Sequence, residues 1–294
     1  MEIKIYCDAG SNLYNKVIKD QDVEGIKVVS MNLFVEDKTY HCYDDDIDVE
    51  KFAHEYYDEL RAFKNIHTSL INPNDFMEAF KEDVEKGNKI ICFTMASGIS
   101  GTYQSCVLAA NQINDEKGEE VVHVVDSKTA GFGEGLQAIE AYKLVKAGKS
   151  FEEICKASED LVLKVRSEFT VDDIRYLSKT GRVSSLVAKI ATLLNIKVLL
   201  KGSDEAKIVN TGKVHGKVMA LKSLANTCLE HIKDKENQIV YISHCDDVED
   251  ANKLKDLLTA GGVKNIYIAI HDLATGSHIG PGSIGVFYIG ENRN

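Results

Sequence analysis

Apolar residues along the first half of the chain fall into two alternating patterns. Short unbroken runs, such as Ile90-Ile91-Cys92-Phe93-Thr94-Met95, have the length and composition of strands buried on both faces. Between them lie stretches spaced for one face of a helix, such as Tyr103, Val107, Ala110 and Ile113 within 102–113. On this basis strands are predicted over 3–7, 26–35, 66–69, 90–95 and 121–125, the second turning at Glu36-Asp37-Lys38 into a short partner through Tyr40. Helices are predicted over 48–63, 72–86, 102–113 and 131–147. Asn72 is suited to cap the second of these, and Pro73 to open it.

Strand alternating with helix argues for a parallel sheet covered by helices on both faces. The second half is α/β again, but less regular. A helix capped by Ser150 runs to about Val165, followed by a strand over 168–171, a helix over 172–179 closed by Gly181, and a further helix entered through Arg182-Val183-Ser184-Ser185. Strands then fall over 196–200, 208–214, 238–244, 265–273 and 284–289, with helices over 215–233 and 248–260. The fold predicted is therefore α/β in two domains: a Rossmann-like parallel-sheet domain over 1–165 and a mixed-sheet α/β domain over 166–294. The charged run Asp44-Asp45-Asp46 reads as a solvated loop.

Composition narrows the partners. With 294 residues, 44% hydrophobic and 28% charged, the chain is globular. Its net charge of −11 and the lack of a Lys/Arg run argue against a nucleic-acid partner. The seven cysteines are scattered, with no CxxC pair, so neither a zinc site nor a disulfide framework is indicated, and a reducing cytoplasm is expected. The histidines show no metal-binding spacing. No signal peptide and no integral membrane segment are expected, since no apolar run approaches the roughly 20 residues of a span.

Ligands of parallel α/β sheets sit at the carboxyl ends of the strands. Asp8, Thr68, Ser97 and Asp126 all fall at such ends. The loop Ser97-Gly98-Ile99-Ser100-Gly101 joins a strand to a helix whose first N–H groups favour an anion. It lacks the Lys of a P-loop, and GxSxG is missing around Ser97. The only two prolines are Pro73, after Thr68-Ser69, and Pro281, in His278-Ile279-Gly280-Pro281-Gly282; both stiffen the loops in question. Two hydroxyls, an imidazole and backbone amides can together hold a carboxylate. Each also has a plainer reading: Ser97 as a helix cap, Thr68 as a capping loop hydroxyl, and His278 as an ordinary loop histidine.

These loops, taken in order, resemble the bacterial DegV family. The matching residues are Asp8, Thr68-Ser69 with Pro73 and Phe76, Ser97 to Ser105, Val125-Asp126-Ser127, Tyr176-Leu177 with Gly181-Arg182-Val183, Asn195-Ile196-Lys197, and His278 with Gly280-Pro281-Gly282. The resemblance implies a non-catalytic protein that binds a long-chain fatty acid, such as palmitate, between two α/β domains and presents it to a fatty acid kinase. It also implies no cofactor and no metal. The carboxylate would be held by Thr68 and Ser97, with His278 and the Gly98 amide nearby. Arg182, and after it Arg175, would serve the head group or the kinase surface, or else form plain surface salt bridges. Ser97→Ala is then expected to weaken binding by about tenfold to a hundredfold. The alternatives are a serine-dependent acyl-transfer enzyme, with Ser97, His278 and Asp8 as a conceivable triad, and a lipid carrier without a kinase partner.

Overall fold

Four of the apolar runs in the first half pair side by side. In the computed structural model, which describes residues 2–42, 48–62, 64–183 and 195–293, β1 (Ile3–Asp8) lies between β2 (Ile26–Val29) and β6 (Lys89–Thr94). β7 (Val122–Asp126) lies outside β6, and all four strands are parallel. The order β2-β1-β6-β7 changes direction between β1 and β6, which is where a parallel sheet opens a crevice at its carboxyl edge. The helices start largely where their signals stand. Asp48 caps α2 (Val49–Arg61), and Asn72 and Asp75 form a capping box on α3 (Pro73–Glu85). α4 (Thr102–Lys117) follows the Ser/Gly loop.

The strand predicted over 26–35 is divided between two sheets. After Val29 the chain leaves the parallel sheet, and β3 (Asn32–Val35) pairs antiparallel with β4 (Lys38–His41) and β5 (Ile66–Thr68) in a separate sheet. Apolar patterning reports burial and is silent about which neighbour a strand takes. A short helix, α1 (Asn15–Asp20), also carries no periodic signal, since Val17 is its one buried residue.

The second half forms a mixed six-stranded sheet of order β10-β9-β8-β13-β11-β12. It comprises β8 (Val165–Thr170), β9 (Ile196–Gly202), β10 (Ile208–His215), β11 (Ile239–His244), β12 (Asn265–Ile270) and β13 (Ile284–Ile289). Only β11 and β12 run parallel. α8 (Lys217–His231) and α9 (Val248–Ala260) match the predicted helices. The helix predicted from Asp172 is a single turn, α7 (Arg175–Lys179). The helix entered through Arg182 falls on residues 184–194, and the Asp44-Asp45-Asp46 run on 43–47; both lie outside the described residues. The strand predicted over 265–273 stops at Ile270, and α10 (Leu273–Ile279) begins under the Asp272 cap. All of Leu273 to Ser277 is buried, so this helix shows no amphipathic alternation.

α5 (Phe132–Lys146) packs against β1 and β6 of the parallel sheet and against β8 and β13 of the mixed sheet, whereas α6 (Phe151–Val162) leads directly into β8. Being sandwiched in this way explains why Phe132 to Ile139 is buried on every side. The Phe132 ring meets those of Tyr241 at 4.9 Å and Phe287 at 6.2 Å. At Gly135 a Cβ would come within 2.4 Å of the Ser11 carbonyl, so glycine lets α5 approach the loop after β1. One buried apolar cluster thus runs from Ile5 and Phe93 through α5 to Tyr241 and Phe287. All seven cysteines are buried, and none is joined in a disulfide. Among the described residues, no helix is long and apolar enough to cross a membrane.

Candidate functional site

A cavity of about 530 Å³ opens at the carboxyl ends of β6 and β7, a size within the roughly 300–1,000 Å³ of ligand sites. Its mouth is formed by the end of β5, the Ser/Gly loop after β6, and the hairpin between β9 and β10. α10 runs along one wall. Thr68, Ser97, Gly98, His278 and Arg182 all line it.

Thr68 ends β5, and its Oγ1 lies 3.2 Å from His278 Nε2. The chain positions of the pair are 210 apart, and they meet because α10 passes beside the small sheet. Burial pushes the His278 imidazole down to about 4, and the Arg182 charge acts in the same direction. The ring is therefore neutral near pH 7. Its Nδ1 is buried without a hydrogen-bond partner. A proton on Nδ1 would leave an orphaned donor, so the favoured tautomer carries it on Nε2 and donates to Thr68 Oγ1. That leaves the Thr68 O–H free to be given to a ligand.

Ser97 is held differently. Its Oγ donates to Asp126 Oδ2 at 2.6 Å and its N–H to Asp126 Oδ1 at 3.1 Å; the Lys128 N–H joins the same oxygen at 3.0 Å. Ser97 and Gly98 are both exposed. Ser97 is not the cap of α4: Ser100 Oγ takes the Thr102 N–H, at 3.2 Å. Among the described residues no acceptor is found for the Gly98 N–H. The Gly98 Cα faces the hairpin so closely that a Cβ there would lie 2.3 Å from the Ala206 carbonyl oxygen.

Arg182 lines the cavity with its guanidinium on the Thr180 carbonyl. Arg175 is not among the lining residues; it is exposed and pairs with Asp173 at 2.5 Å. Two lining cations carry no motif and are not predicted from sequence, Lys128 and Lys207. Lys128 Nζ bonds the Asp204 carbonyl at 2.9 Å, joining the end of β7 to the β9–β10 turn.

The Ser97–His278–Asp8 triad is not assembled. The Ser97 hydroxyl is on Asp126, and His278 is on Thr68. Asp8 lies beneath the loops, where its carboxyl accepts the N–H groups of Gly10 at 2.7 Å and Met95 at 2.8 Å. Burial pushes Asp8 up to about 7 and pushes its neighbour Glu134 well above the usual carboxylate range. Asp8 thus ties the ends of β1 and β6 together instead of orienting an imidazole. Among the described residues no group of three or more His, Cys, Asp or Glu is placed to hold a metal ion. The arrangement offers a neutral hydroxyl–imidazole pair, a free amide and nearby cations at the mouth of the cavity. Such donors suit an anionic head group on an apolar body.

Comparison with known proteins gives a consistent picture. The family model described as "Uncharacterised protein, DegV family" matches residues 2–291. A DegV domain-containing protein of Clostridium perfringens is 33% identical over 290 residues, covering 98% of each chain. One from Lactococcus lactis is 30% identical over 293 residues, again 98% of each. Among solved structures, a DegV-family protein of Ruminococcus gnavus with vaccenic acid is 26% identical; the match covers 97% of this chain and 99% of that one, with a TM-score of 0.83. The Streptococcus pneumoniae fatty acid kinase B3 protein, loaded with linoleic acid, shares the fold at 20% identity and TM-score 0.83, over 99% of this chain and 100% of that one.

Proposed function

The chain belongs to the DegV family, and we propose that it binds a long-chain fatty acid such as palmitate and presents the carboxylate to a fatty acid kinase. The observation that carries this reading is the Thr68–His278 pair, set beside the exposed Gly98 amide at the mouth of the cavity. The vaccenic acid held by the Ruminococcus gnavus relative supports the same ligand class. Thr68, Ser97, His278 and Gly98 hold the head group in this proposal, with Arg182 beside them. Arg175, outside the cavity, is left to the surface a kinase would meet. We place the domain division at 1–165 and 166–294, with the ligand between the two.

The tail supplies most of the affinity. At about 0.8 kcal/mol per buried CH₂, a C16 chain grosses roughly 11 kcal/mol before ordering costs. One charge-assisted hydrogen bond nets only about 1.5–3 kcal/mol. The head-group loops therefore set orientation. Since Ser97 and Gly98 are exposed, a carboxylate held there stays within reach of a second protein, which is what presentation requires. The pneumococcal fatty acid kinase B3 protein shares this architecture. Seven cysteines with no disulfide among them suit a cytoplasmic location. No cofactor takes part in this reading.

Mass spectrometry of the purified protein, native and then denatured, tests the proposal. Release of a fatty acid of one or two chain lengths is the expected result. A bare protein that also fails to take up added palmitate would overturn it. Phosphorylation of the bound lipid by an added fatty acid kinase separates presentation from simple carriage.

A further inference from the structure

Deep in the same cavity lies a polar chain that the head group does not use. Ser243, His271 and Thr275 all line the cavity and are buried, and Asp272 lies behind them. Ser243 Oγ is 2.7 Å from His271 Nδ1, His271 Nε2 is 2.7 Å from Thr275 Oγ1, and Thr275 Oγ1 is 2.5 Å from Asp272 Oδ2. The proton order follows from the last member. The Asp272 carboxylate accepts, so Thr275 gives it its O–H, and Thr275 Oγ1 in turn accepts the His271 Nε2–H. The bare Nδ1 of a neutral ring then accepts the Ser243 O–H. Burial holds His271 in that neutral form. Ser243 has therefore spent its only proton, while the remaining lone pairs of Oγ are unclaimed by any described residue.

The position of this chain along the cavity is set by α10. Ala274, Thr275 and His278 lie on one face of α10, His271 stands just before its Asp272 cap, and all four line the wall. Thr275 precedes His278 by three residues, a rise of ~4.5 Å along the helix axis, and His271 lies beyond the start of the helix. An acyl chain anchored at Thr68 and His278 would thus pass Ser243 and His271 partway down its length. Gly285, the cross-strand neighbour of Ser243, leaves room for the Phe287 ring, which a Cβ there would meet at 2.9 Å, and both line the cavity beside Ser243. A plain hydrocarbon tail has no use for a serine oxygen with open lone pairs.

We infer that the Ser243–His271–Thr275–Asp272 chain is a specificity station for a fatty acid that carries a mid-chain hydroxyl, whose O–H is accepted by Ser243 Oγ. This rests on the fatty-acid reading above and narrows its ligand class. Because Ser243 accepts and cannot donate, a hydroxyl fits and a ketone at the same carbon does not.

The test measures the Kd of delipidated protein for octadecanoate, for its 8- to 12-hydroxy isomers, and for the keto counterpart of the best of them. One hydroxy isomer should bind about fivefold or more tighter than octadecanoate, and its keto analogue should show no gain. In Ser243→Ala that preference should vanish, with the octadecanoate Kd changed less than about twofold. Wild-type protein that binds octadecanoate as tightly as every hydroxy isomer overturns the inference, whatever the variant does. So does a preference that survives in Ser243→Ala. Failure to bind any of these acids, octadecanoate included, would instead sink the parent reading.

Discussion

Thr68→Val is the sharpest probe of the head-group site, because it removes one hydroxyl and keeps the branched shape. The His278 Nε2–H rests on Thr68 Oγ1, so the Thr68 proton is free for a carboxylate. Losing that charge-assisted bond costs about 1.5–3 kcal/mol, which is roughly a tenfold to 150-fold rise in Kd. Ser97→Ala should behave differently. The Ser97 proton already sits on Asp126 at 2.6 Å, so a bond to ligand replaces an existing charge-assisted bond and adds little. Its expected cost is about threefold or less, below the tenfold to hundredfold anticipated from the sequence. Displacement of a fluorescent fatty acid from delipidated protein measures both, with thermal melting to confirm folding. Thr68→Ser should recover most of the affinity. If Ser97→Ala weakened binding more than Thr68→Val, the assigned proton directions would be wrong.

Three further outcomes follow from the same geometry. Gly98→Ala places a methyl 2.3 Å from the Ala206 carbonyl oxygen; the head-group loop must retreat from the hairpin by about 1 Å, and palmitate should bind roughly tenfold more weakly by calorimetry, through displacement of the amide. Glu134 is fully buried with its pKa raised by burial and by the Asp8 charge. A raised carboxyl contributes stability that is present at acid pH and lost as the pH climbs past the unfolded value, so Glu134→Gln should flatten the alkaline fall in stability seen in urea titrations from pH 5 to 9. The acid side has the opposite origin. His244 and His278 are pushed down to about 4 by burial, so the unfolded chain takes up protons first, and stability should decline as the pH falls from about 6.5 toward 4. Replacing His244 with Gln should soften that decline.

How much of this could be read from the sequence depended on whether the controlling interaction was local. Asn72-Pro73 and Ser150 announce their helices because a cap is satisfied within three residues. Ile90 to Thr94 announces a central strand because both its faces are buried. Thr68, Ser97 and His278, which line one cavity, were singled out through the glycines and prolines that shape their loops, reinforced by the ordered family pattern. Where the decisive partner is distant, the same reasoning stops. Nothing near Val29 signals that the chain will leave one sheet for another, and nothing near Ser97 signals that Asp126, 29 residues on, will take its proton. α10 was hidden for a related reason: a short helix buried on all sides looks like the apolar strand before it.

His271 and Ser243 show this limit most clearly. Each stands with a polar neighbour at the end of an apolar run, Ser243 with His244 and His271 with Asp272, where polar residues are ordinary. Their significance lies in pairing across β11 and the start of α10 and in the open space beyond them, and neither is written in local spacing. Burying four linked polar groups is tolerable only because each has a partner, so the chain is costly to assemble and easy to spoil by one substitution. A wall meant solely for hydrocarbon is made more simply from Val, Leu and Phe, as its neighbour Phe287 shows. The contrast between Ser243, with a lone pair to offer, and Thr68, with a proton to give at the mouth, therefore separates two tasks in one cavity. On the reading proposed, one end would fix the carboxylate and the other would read what the chain carries.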